Sequence, residues 1–97
     1  MADQATISTD ILARYAADAA KEVDGVRGLV DSPLPGRGGV RIAEKNGVVR
    51  IELHVVAESG ASIPALGARV QARVREYLAS MADVEPASVD VVVDAIE

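Results

Sequence analysis

The chain contains no cysteine, phenylalanine or tryptophan, and its only aromatic side chains are Tyr15 and Tyr77. Without cysteine there is neither a disulfide nor thiolate chemistry, a composition that fits a reducing cytosol. With so few aromatics, the core of this 97-residue chain must be built from Val, Ile, Leu and Ala. Long apolar runs are also missing: none approaches the roughly 18 residues needed to cross a bilayer. Met1-Ala2-Asp3-Gln4 lacks the basic start and apolar run of a secretory signal. The expectation is a cytoplasmic protein with no direct membrane insertion, reaching the inner face of a membrane only through a partner.

Histidine is scarce as well, and His54 is the only one. One histidine with no cysteine makes a zinc site only with several carboxylates, and the spacing shows no such cluster. Ser8, Ser32, Ser59, Ser62, Ser80 and Ser88 have no histidine placed to activate them, and there is no nucleophile elbow. The reading is therefore of a protein that is not an enzyme, with no metal, no cofactor and no small-molecule substrate.

What the chain does have is charge of both signs, unevenly placed. The net charge is -5, but residues 1–31 carry six acids and three bases, residues 32–82 four acids and seven bases, and residues 83–97 five acids and no base. A bipolar surface of this kind favours association with itself or with a partner.

Thr9 to about Val23 reads as a helix. Ile11, Leu12, Tyr15, Ala16, Ala19 and Val23 recur at three-to-four spacing, Ser8 or Thr9 serves as N-cap, and Gly25 ends the element. Val26 to Asp31 is a weak strand candidate. Two prolines and three glycines in Ser32 to Gly39 mark a flexible loop, and residues 1–6 are expected to be disordered. Asn46-Gly47 between two apolar-alternating runs specifies a type I' hairpin, and that turn fixes Ile42 against Ile51, Val40 against Leu53 and Arg41 against Glu52.

A second helix is predicted from about Ile63 to Met81, with a stripe of Ile63, Leu66, Gly67, Val70, Val74, Tyr77, Leu78 and Met81. Ser62 is its expected N-cap and Pro64 lies in the first turn. Gly67 falls on the stripe, where it is expected to let helix and sheet approach closely. The sequence offers no physical reason for Gln71. Ser88 to Ile96 then alternates as a strand with one buried face.

Residues 1–97 thus read as a single α+β domain, a two-layer sandwich of order α-β-β-β-α-β. Both helices pack on one face of a small mixed sheet around the central hairpin, with the last strand parallel to one hairpin strand. The other sheet face is left open and bears Arg41, Arg50, Glu52, His54, Asp90, Val92 and Asp94, the candidate partner surface. Gly25-Val26-Arg27-Gly28 matches the G-x-x-G of a KH loop, but that loop needs a helix on each side and here a strand-like run follows. With no basic excess and no aromatic platform, a small nucleic-acid-binding module is the alternative reading.

Several segments together resemble one family. These are Ile7 with the helix through Ala20, Val23-Asp24-Gly25-Val26 with Gly28-Leu29, the Val40 and Asn46-Gly47 hairpin, Val55 to Gly60, Val70-Gln71 with Val74, and Val89-Asp90-Val91-Val92-Val93. In this order they resemble the bacterial alkaline-shock, or envelope stress response, protein family over Ile7 to Ile96. The resemblance implies a small cytoplasmic α+β domain without catalysis, associated with cell-envelope homeostasis. It also implies partners: a separate membrane-anchoring protein, or further copies of the chain. Ser59 stands where the family often has an aromatic residue, and the long charged tails of some members are missing. The expected function is a non-enzymatic interaction or scaffold protein of the cell-envelope stress response.

Overall fold

A computed structural model describes residues 8–30 and 39–97. The expected disorder of residues 1–6 and, apart from Gly39, the expected flexible loop at 32–39 lie outside the described residues. The order is α1 (Thr9–Lys21), β1 (Val26–Leu29), β2 (Val40–Lys45), β3 (Val48–Ala57), α2 (Ile63–Ala82) and β4 (Ser88–Ile96). This is the predicted α-β-β-β-α-β sequence, in two layers.

The ten-residue β3 organises the sheet. Asn46 and Gly47 take φ of 55° and 81°, the two positive values that a type I' turn demands. The predicted register follows, with Val40 opposite Leu53, Arg41 opposite Glu52 and Ile42 opposite Ile51. β4 runs parallel along the other edge of β3, from Arg50 opposite Ser88 to Ala57 opposite Ile96, with a register shift between Val55 and Val56.

β1 pairs antiparallel with β3 on the same edge as β2, at Ala57, Val56 and Val55. The two short strands therefore lie end to end along one partner, as one interrupted strand. His54 sits at the gap: its N–H donates to the Gly39 carbonyl at 2.7 Å, and its own carbonyl accepts from Val30 N at 3.0 Å. Gly39 has φ +80°, and a Cβ there would lie 2.8 Å from the carbonyl oxygens of both His54 and Val30. Only glycine fits this joint.

Period-two alternation on β3 sends Val49, Ile51, Leu53, Val55 and Ala57 to the helices, all buried. They meet Leu12, Ala13, Ala16, Ala19 and Ala20 from α1 and Leu66, Val70, Val74 and Leu78 from α2. The small alanines of α1 let it lie close, and each of the fully buried Leu, Ile and Val side chains contributes about 1.5–3 kcal/mol relative to exposure. Tyr15 and Tyr77 meet edge to face between the helices, with centroids 5.8 Å apart.

Several local expectations need correction. Ser8 caps α1, accepting from Ile11 N at 3.2 Å, but the helix ends at Lys21 with Glu22 as C-cap, so Gly25 does not stop it. Ile11 is 43% exposed and Met81 50%, so neither belongs to a buried stripe. Ser62 occupies the N-cap position of α2 without a side-chain bond, and its carbonyl alone accepts from Leu66 N at 2.8 Å. Gly67 permits no close approach, because a Cβ there would meet nothing within 4 Å. The close approach is at Gly25, with φ +100°, where a Cβ would lie 3.1 Å from Leu66 Cδ1.

Candidate functional site

The sheet face away from the helices carries the seven residues that the sequence assigns to it. Arg41, Arg50, Asp90 and Asp94 are exposed, Val92 is 37% exposed, and Glu52 and His54 are half-buried. Arg41 stands opposite Glu52, Asp90 lies beside Glu52 on the other strand, and Val92 lies beside His54. The face is therefore polar on β2, β3 and β4 alike.

At its centre is an arrangement the sequence did not disclose. His54 Nε2 lies 2.5 Å from Glu52 Oε2 and His54 Nδ1 lies 2.8 Å from Asp94 Oδ2. A neutral imidazole has one N–H and satisfies one such carboxylate; the imidazolium donates to both. The hydrogen bond to Glu52 first, and then that to Asp94, raise the His54 pKa above its ordinary 6.5, against a smaller opposing effect of burial. The clasp ties residue 54 of β3 to residue 94 of β4 across the open face. Its three groups do not converge on a point, because each ring nitrogen engages a different acid. Among the described residues no group of three or more His, Cys, Asp or Glu is placed to hold a metal ion.

A second cluster joins the helices. Arg73 Nη2 and Nε donate to Glu22 Oε1 at 2.6 and 3.0 Å, Nη1 donates to Glu76 Oε1 at 2.7 Å, and the guanidinium lies 5.3 Å from the Tyr77 ring centroid. Arg69 Nη2 donates to the Asp24 carbonyl at 3.1 Å. These bonds fasten the end of α1 to α2. The Arg73 side chain is 34% exposed.

The helix also explains Gln71. Its Nε2 donates to the Val89 carbonyl at 2.8 Å, and Arg75 Nη1 donates to the Pro86 carbonyl at 2.9 Å. The Val89 carbonyl is at the start of β4, an outer strand, and the Pro86 carbonyl lies two residues before it, so both donors cover the approach to an edge with no neighbouring strand among the described residues. The G-x-x-G match at Gly25 to Gly28 does not form a phosphate loop: Gly28 is within β1 and a strand, not a helix, follows Gly25.

The family model of the alkaline shock proteins, described by a cell envelope-related function, matches residues 1–97. The chain belongs to this family. No curated protein is a significant sequence match. Solved structures of MamM-CTD share the fold. One histidine-to-alanine variant is 16% identical at a TM-score of 0.63, with 93% of this chain and 100% of that one covered. A second such variant is 14% identical with the same coverage and a TM-score of 0.63. A glutamate-to-aspartate variant in a manganese form is 15% identical at a TM-score of 0.60, covering 91% of this chain and 99% of that one. At these identities the likeness is one of fold. Among the described residues no helix is long and apolar enough to cross a membrane.

Proposed function

We propose that this chain is a non-enzymatic interaction module of the cell-envelope stress response, acting by protein–protein contact through its open sheet face. It works in the cytoplasm, and beneath the membrane where a membrane-anchored partner holds it. The observation that carries this reading is the open face itself: three strands present charged groups of both signs to solvent around the Glu52–His54–Asp94 clasp. Such a face offers directional, charge-selective contacts without needing a pocket. Membership of a family with a cell envelope-related function supports the same assignment.

The test is a comparison of the intact chain with an Arg50→Glu, Asp90→Lys variant. Each is cross-linked in cells, purified from membrane and soluble fractions, and its adducts identified. The expected result is one defined partner, or a self-associated species, joined to the native chain and lost from the variant. Recovery of neither from either fraction defeats the proposal.

A further inference from the structure

Among the described residues, the outer edges of β2 and β4 are unpaired. On the open face these edges carry opposite charge at matching intervals. β2 presents Arg41 and Lys45, four positions apart; β4 presents Asp90 and Asp94, also four apart.

The backbone matches as well. The Lys45–Val48 pair closes the two-residue turn, so residues 41, 43 and 45 spend their backbone groups on β3, while 40, 42 and 44 direct theirs outward. On β4 the outward set is 89, 91 and 93, as the Gln71 bond to the Val89 carbonyl shows. Gln71 and Arg75 occupy the carbonyls of Val89 and Pro86. The strand edge is thus free from Asp90 onward, a stretch long enough for the six residues of β2.

We infer that β4 of one copy pairs antiparallel with β2 of a second copy, with Asp90 opposite Lys45 and Asp94 opposite Arg41 of the second copy. In this register both ion pairs form on the open face together, and Val93 meets Ile42 on the helix face. The outward backbone groups of Val91 and Val93 meet those of Glu44 and Ile42. Pairing β4 with itself about Val92 sets Asp90 against Asp94, and pairing β2 with itself about Ala43 sets Arg41 against Lys45; like charges oppose both. The contact is head to tail, so it extends from copy to copy unless the rotation closes a ring. The inference rests on the association role proposed above and names the partner as a second copy.

The absence of native cysteine allows a direct test. Ala43 and Val92 face each other in the inferred register at a non-hydrogen-bonded position, where Cα atoms lie about 4.5 Å apart. That is within disulfide range. Within one chain β3 separates them by about two strand spacings, and their partners Arg50 and His54 stand four residues apart along it, so the two positions lie roughly 16 Å apart, beyond that range. Ala43→Cys and Val92→Cys chains, mixed in a glutathione redox buffer, should give a covalent dimer in the mixture and little with either chain alone. A mixture no more cross-linked than the single variants overturns the register.

In sedimentation velocity, Lys45→Glu should weaken self-association about tenfold, and Lys45→Glu with Asp90→Lys should restore it. Persistence of native-strength association in Lys45→Glu overturns the inference. A native chain that stays monomeric at high concentration also overturns it, while leaving contact with a different partner through the open face intact.

Discussion

The His54 clasp makes stability depend on pH in a direction that the geometry fixes. The folded-state pKa is raised above the unfolded 6.5, so the stabilisation is fully present below 6.5 and is lost as pH rises through the folded value. The side chain of His54 is 31% exposed and each acid 39%, so solvent screens both pairs. Exposed pairs contribute about 0.2–1 kcal/mol each, which puts the clasp at about 1 kcal/mol. For a domain of this size that is about 4–8 °C in Tm. His54→Gln supplies the reference, because every other titrating group is common to both proteins. Thermal unfolding followed by circular dichroism from about pH 6 to pH 9 should show the native chain ahead by that margin at the acid end and level with the variant at the alkaline end. Raised salt should shrink the gap. Because the chain has one histidine, a proton NMR titration reads its pKa directly, and the value should exceed 6.5. A pKa at or below 6.5, or a Tm difference that does not change with pH, refutes the reasoning.

Two glycines should respond with opposite sign. Gly39→Ala forces a side chain into φ +80° and against two carbonyl oxygens, and should cost about 1–2 kcal/mol or more in urea unfolding. Gly67→Ala adds a methyl group in open space inside a helix, and should stabilise by about 0.5–1 kcal/mol. Gln71→Ala removes the donor to the Val89 carbonyl and should cost about 0.5–1.5 kcal/mol, with hydrogen exchange rising at the start of β4 before it rises at Leu53.

The hairpin was legible because Asn46-Gly47 is a local signal that sets a non-local register, and Arg41, Arg50, Glu52 and His54 reached the open face by alternation alone. Asp90, Val92 and Asp94 followed from the same alternation on β4. Other features had no local signature. The collinearity of β1 and β2 depends on where the chain re-enters at Gly39, which no periodicity reports. Gly67 stands on the helical stripe yet packs against nothing, and the close approach falls at Gly25, which the sequence marks only as a helix stop, because position on a stripe says nothing about the distance to the next element. His54 and Asp94 lie 40 residues apart, and their meeting depends on where the parallel β4 comes to rest against β3.

Gln71 shows why such contacts escape a one-dimensional reading. On the helix, Gln71 and Arg75 are one turn apart, about 6 Å along the axis. Their acceptors, the carbonyls of Val89 and Pro86, are three residues apart on the opposite run of the chain. Helix numbers rise as strand numbers fall, as expected where a helix packs antiparallel to the strand that follows it. Two polar residues of α2 therefore reach over the beginning of the outer strand and cover its carbonyls. Their reach ends one turn later, and the strand beyond is defended by the charges of Asp90 and Asp94 instead. A covered segment followed by a charged one blocks indiscriminate edge pairing while leaving a partner of opposite charge free to add.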